Sequence, residues 1–261
     1  MGVPPEWSTV EKWLDTRQSP SYPDIKETPL PERKFKEIPL LTSYDVIPEA
    51  SFWDKFPFRE LTARAETRIN TRNLEKIVDK YKDEMLHSEF KRAERTIENL
   101  KHGANAYQKS DLPPITVLNA KSALHHGELI TDKIASWIND GYVAGPFDTP
   151  PMPGFRANPL MAVVRNGKVR PVLNMSGPKG SSFNDNVDLT KLEKVHMDTA
   201  KAFGYKLKEI GTNARFSKFD YKDAYKTIPS KPTDFRLQGF KWLGKYFCET
   251  QQTFRQYVIL T

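Results

Sequence analysis

The chain has 261 residues, 38% hydrophobic and 28% charged, a length that accommodates one large domain or two small ones and a composition too apolar for disorder throughout. Its apolar runs are only a few residues long, which excludes a membrane-spanning helix, and the start "MGVPPEWSTVEKWLD" lacks the basic beginning and apolar centre of a signal peptide. The net charge of +7 is unevenly spread: residues 1–150 carry 21 Lys plus Arg against 24 Asp plus Glu, whereas residues 151–261 carry 19 against 9, a net +10 that suits either a polyanionic partner or a plain basic surface.

Residues 1–60 hold nine of the twenty prolines and show neither helical period nor steady alternation, so they read as a mostly disordered arm in which Trp7, Trp13 and Trp53 are anchors for a partner. Residues 61–127 read as a helical extension. Leu74, Ile77, Tyr81 and Met85 recur at spacings of three and four, Phe90, Ile97 and Leu100 continue the stripe, and Gly103 stops it. The adjacent histidines of "LHHGE" lack the spacing and the further ligands of a metal site. In "TDKIASWINDG" Thr131 is the predicted N-cap, Ile134, Trp137 and Ile138 form the apolar face, and Gly141 ends the helix. A loop with five prolines follows, Pro146 to Pro159.

Leu160 to Met175 then gives two β-rich runs around Asn166-Gly167, the favoured pair for a two-residue type I′ turn. A helix is predicted from near Asp198 to Gly211, a strand over 214–220, and a second hairpin turning at Leu243-Gly244. A helix feeding mixed antiparallel strands indicates an α+β fold. The one cysteine, Cys248, cannot form an internal disulfide, which fits an intracellular protein of cytoplasm or nucleus.

Two stretches carry candidate chemistry. Lys168 and Arg170 are two apart in a strand and so share a face, where they serve either as a clamp for polyphosphate or as solvated edge cations. Asp220 falls at the predicted C-terminal end of the 214–220 strand, a good place for a carboxylate that holds a hard cation such as Mg²⁺. Tyr221 to Tyr225 form a predicted tight turn whose backbone N–H groups can face an anion. The alternative is two exposed aspartates, Asp220 and Asp223, at a turn.

"FDYKDAYKTIP" resembles the first catalytic motif of reverse transcriptases, and "VRNGKVRPVLNMSGPKGSSFND" resembles the fingers hairpin of that family and the segment after it. "ITDKIASWINDGYVAGPF" and "NPLMAVV" resemble the helix and entry strand before them, so the likeness covers about residues 128–254 in the family's order. The wording "GPKGSSFND" is most similar to retrotransposon enzymes, those of tyrosine-recombinase elements among them. The resemblance implies a partial right-hand polymerase fold over residues 128–261, fingers plus the first part of the palm, and RNA-directed DNA polymerase ancestry. It implies an RNA template, a DNA primer and a deoxynucleoside triphosphate as partners, and Mg²⁺ as cofactor. Asp220 would be the first metal-binding carboxylate and the Tyr221 carbonyl a further metal ligand. Lys168 and Arg170 would lie on the triphosphate, the backbone at Asp223 and Ala224 would meet the same phosphates, and Tyr225 would sit beneath the sugar as a gate against a 2′-hydroxyl.

The sequence also departs from that family. Asn174 stands where an acidic residue is usual, Arg255 follows "QQTF" where glycine is expected, and no Asp-Asp pair occurs anywhere in the 261 residues. A truncated reading frame, a frameshift or an altered splice would each account for the change at Arg255. The expected behaviour is a reverse-transcriptase fragment that does not polymerise by itself. The alternatives are a non-catalytic nucleic-acid binder or a protein-interaction module carried by the arm and the helical extension.

Overall fold

The structure, a computed structural model, describes residues 50–165, 167–192, 199–211, 215 and 223–252. The chain divides into two units, Met1–Leu41 with His196–Phe219, and Thr42–Val195 with Asp220–Thr261.

In the larger unit, short helix α1 (Ala50–Asp54) lies within the segment that the sequence assigns to the arm. Trp53 and Phe56 pack against the main core, with Trp53 5.2 Å from Phe56 and 6.1 Å from Phe247 between ring centroids. Trp53 is therefore an anchor within its own chain. The rest of the predicted arm, with Trp7 and Trp13, lies outside the described residues.

The predicted helical extension divides in two. Asn70 caps α2 (Thr71–Tyr81) by accepting from the Asn73 N–H at 3.0 Å. The helix stops before Met85, and α3 (His87–His102) begins anew after Leu86, whose N–H donates to the Glu89 carboxylate at 3.0 Å. That local bond offers the backbone a fresh start that apolar spacing alone does not reveal. Gly103 ends α3 at φ +86°, and it is required there. A Cβ on it would lie 2.4 Å from the Ser230 carbonyl oxygen. This close approach lets Ala104 donate to Pro229 O at 2.8 Å and accept from the Lys231 N–H at 2.9 Å.

Two helices follow, α4 (Lys121–His125) and α5 (Gly127–Asn139). α5 buries Ile130, Ile134, Trp137 and Ile138, the predicted apolar face with one residue added. Thr131 is not its N-cap, because the helix begins four residues earlier. The Thr131 hydroxyl donates back to Gly127 O at 2.8 Å and accepts from the buried Trp242 indole N–H at 2.9 Å. A threonine that bonds the carbonyl four residues back has no reason to terminate a helix.

The strands are β1 (Ile115–Thr116), β2 (Val143–Phe147), β3 (Arg156–Ala157), β4 (Leu160–Arg165), β5 (Lys168–Leu173), β6 (Gly239–Trp242) and β7 (Lys245–Glu249). Five form a mixed sheet in the order β1-β3-β6-β7-β2, with β1–β3 and β3–β6 parallel and the other pairs antiparallel. The fold is thus α+β. Alternation separates the two faces: Val143, Phe240, Trp242 and Phe247 join α5 in the main core, whereas Ala144, Phe155, Phe235 and Cys248 form a smaller core. Gly239 leaves room for the Phe155 ring of the smaller core; a Cβ on it would meet that ring at 2.0 Å.

Both predicted hairpins form with two-residue loops. β4 and β5 pair from Leu160↔Leu173 to Arg165↔Lys168, and Gly167 takes the positive φ that a type I′ turn needs. β6 and β7 close at Leu243 and Gly244, both at positive φ.

In the smaller unit, α6 (Ala200–Ile210) is capped by Thr199, whose hydroxyl accepts from the Ala202 N–H at 3.1 Å, and it ends at Gly211. The predicted strand over 214–220 lies, apart from Arg215, outside the described residues. Among the described residues no helix is long and apolar enough to cross a membrane.

Candidate functional site

The β4–β5 hairpin carries the first part of the site. Directly opposed residues of an antiparallel pair share a face, and so do residues two apart. Lys168 and Arg170 therefore share a face with Arg165, which pairs with Lys168, and with Val163, which pairs with Arg170. The opposite face rests on the core through Leu160, Ala162 and Leu173. All three cations are exposed and none forms a hydrogen bond or ion pair with the described residues. Like charges directly opposite each other repel, so the bare hairpin tip gains from an anion. The sequence reading misses Arg165. The two-residue turn would have found it, because a type I′ register places residue 165 opposite residue 168.

The second part is the turn after Asp220. Asp220 and Tyr221 lie outside the described residues. Asp223 adopts a left-handed conformation, φ +53° and ψ +38°, and leads into a 3₁₀ turn over Ala224–Thr227. Of the predicted Tyr221–Tyr225 turn only Asp223 to Tyr225 are described, and the observed turn runs on to Thr227, with Asp223 and Ala224 at its start and Tyr225 exposed on it. The Lys226 N–H closes it on Asp223 O at 2.8 Å, and the Thr227 hydroxyl donates to Ala224 O at 2.6 Å.

One side chain anchors this turn. The Lys226 ammonium lies 2.5 Å from the Glu249 carboxylate at the end of β7 and 4.7 Å from the centre of the Trp137 ring on α5. Glu249 is only 2% exposed. Burial pushes its carboxyl above the usual carboxylate range, and the Lys226 ammonium pulls it part of the way back. Neither Lys226, Glu249 nor Trp137 is singled out in the sequence for this role. The pair is 23 positions apart, and only the path of β6–β7 brings it together.

Both parts rest on the same helix: β5 packs against α5, and Lys226 covers Trp137 of α5. Asn174, the departure from the family's acidic residue, accepts from the Ser176 N–H at 3.1 Å and shapes the loop after β5. In that loop Asp185 accepts from Ser182 Oγ at 2.7 Å and from the Gly180 N–H at 2.7 Å. The Ser182 hydroxyl foremost, with the two backbone N–H groups, holds its carboxyl below the ordinary range. Among the described residues there is no cluster of three or more His, Cys, Asp or Glu that could hold a metal ion.

No family model and no curated protein matches the chain. Among solved structures it is similar to the native protease–reverse transcriptase of prototype foamy virus, with a TM-score of 0.37 and 19% identity over 57% of this chain and 18% of that one. It is also similar to two foamy viral protease–reverse transcriptase structures in complex with double-stranded DNA. The first gives a TM-score of 0.38 and 17% identity, covering 77% of this chain and 34% of that one. The second gives 0.36 and 14%, covering 77% and 40%. The chain thus spans less than half the length of each of these proteins.

Proposed function

We propose that this chain is a reverse-transcriptase-related polymerase segment that grips the phosphates of nucleotide or nucleic acid and does not extend a primer by itself. In this reading residues 128–261 are fingers and the first part of the palm, 61–127 a helical extension and 1–60 an arm. The observation that carries it is the exposed face of Arg165, Lys168 and Arg170, three cations without an acidic partner among the described residues. Arginine forks onto two phosphate oxygens and lysine adds a point charge. The motif order in the sequence supplies the polymerase part. Asp220 and the Tyr221 carbonyl are hard oxygen donors that suit Mg²⁺, and bound there the ion would neutralise phosphate charge. The Asp223–Tyr225 turn would meet the triphosphate and sugar. The 261 residues contain no Asp-Asp pair, so further carboxylates would have to come from elsewhere before two metal ions could be clamped.

Fluorescence polarisation with a labelled RNA–DNA primer–template duplex tests the grip. Each phosphate contact contributes a slope of about −0.9 in log affinity against log salt, so Arg165→Glu/Lys168→Glu/Arg170→Glu should flatten the slope by about 3. Unchanged affinity and slope would refute the reading. Primer extension by the wild-type chain above an Asp220→Ala control would refute its second half.

A further inference from the structure

We propose that the Lys226–Glu249 pair, roofed by Trp137, is a positioning device that holds the 223–227 turn in the geometry needed to meet phosphate. The inference rests on the functional reading above. Three observations carry it.

The first is that one residue fixes the turn from two directions. The backbone N–H of Lys226 closes the turn on Asp223 O, while its side chain leaves the turn and pins it to β7 and α5. The second is that the turn is not held by its own conformational preference. Asp223 sits in the left-handed region, which aspartate tolerates better than most non-glycine residues but which still costs more than extended backbone, so contacts elsewhere must help to hold it. The third is that Glu249 has little other reason to be there. It lies at the end of a strand whose preceding residues, Phe247 and Cys248, are wholly buried. Replacing a buried pair with apolar residues is often neutral or stabilising, so stability alone does not account for this pair. From the other side Thr67 donates its hydroxyl to Thr227 O at 2.8 Å. That bond closes the far end of the turn, and the Thr227 hydroxyl ties Ala224 O to it, whereas the Asp223 carbonyl is taken by the Lys226 N–H.

Amide hydrogen exchange and phosphate binding, measured on the full chain, test this together. Glu249→Gln keeps the shape and removes the charge. If the held geometry falls from about nine molecules in ten to about one in ten, exchange at the Lys226 and Ile228 amides should rise about ninefold and affinity for inorganic tripolyphosphate should fall by the same factor. Exchange at Phe240 and Phe247 in β6–β7 should stay slow. Lys226→Arg with Glu249 intact, which keeps the charge and the stacking on Trp137, should leave both readouts near wild type. Should Glu249→Gln fail to fold, Trp137→Phe loosens the same roof and gives the same comparison. Turn exchange that is unchanged, or that rises only in step with β6–β7, overturns the proposal. So does a loosened turn with unchanged tripolyphosphate binding. If the wild-type chain does not bind tripolyphosphate, the functional reading fails while exchange still decides whether the pair holds the turn.

Discussion

Gly103→Ala should be among the most damaging single-methyl changes in this protein. Two effects add at this position. At φ +86° an L-residue is strained, at a cost of about 1–2 kcal/mol. The new Cβ would also lie 2.4 Å from Ser230 O and 2.6 Å from Lys231 N, both backbone atoms that cannot swing aside. To make room, the 229–231 segment must retreat and lose its two hydrogen bonds to Ala104, worth about 1 kcal/mol each. The total is about 3–4 kcal/mol. Gly180→Ala is the control: its φ is also +86°, but nothing lies within 4 Å of the added carbon, so only the conformational cost of about 1–2 kcal/mol remains. Urea unfolding followed by tryptophan fluorescence reads the difference. With a slope of about 3 kcal/mol per molar, the extra 2 kcal/mol lowers the Gly103→Ala midpoint by about 0.7 M relative to Gly180→Ala. Equal midpoints for the two variants would refute the reasoning, because they would mean that α3 does not approach the 229–231 segment this closely.

Cys248 is wholly buried, its thiol donates to Phe235 O at 3.2 Å, and burial pushes it far above the usual thiol range. A thiol reagent should therefore label it at least about a thousandfold more slowly in the native chain than in urea; fast native labelling would contradict the packing of β7. Asp185 has its folded pKa depressed by the Ser182 hydroxyl and two backbone N–H groups. Its contribution is thus present above the unfolded value of about 3.9 and lost as pH falls through the folded one. Asp185→Asn should lower stability at neutral pH, flatten the acid limb and converge with wild type as pH falls through the folded value, as measured by urea midpoints across pH.

The features legible in the sequence are those with a local cause. Asn166-Gly167 fixes one hairpin, and Gly244 marks the other, because a two-residue loop must place positive φ at known positions. The α5 face follows from its 3.6-residue period. What escapes the sequence is set by partners far along the chain. Met85 continues the apolar spacing of α2 and hides the break before Leu86, which Glu89 creates through one hydrogen bond. Thr131 resembles a cap, yet Trp242, 111 positions away, claims its oxygen. β1 and β3 are two residues each and carry no alternation to read. For the candidate site, type and spacing give the shared face of Lys168 and Arg170 and a turn near residues 221–225, while any role for them comes only from the resemblance. Arg165 follows only once the register is known, and Glu249 only once β7 is placed.

The parallel pairing of β3 with β6 has a kinetic consequence. It joins Ala157 to Gly239, with the β4–β5 hairpin and the whole of α6 in the intervening chain. The two-residue hairpins close locally, on a scale of about 1–10 μs. The β3–β6 seam must instead close a loop of some eighty residues, and the β2–β7 seam one of some hundred, before any contact rewards it, which makes these two the slow events in assembling the sheet. Until the β3–β6 seam forms, Phe155 and the backbone of Gly239 remain apart and the smaller core has no floor. The chain should therefore pass through a stage with hairpins formed and that face open, when crowding by other copies is most dangerous to it.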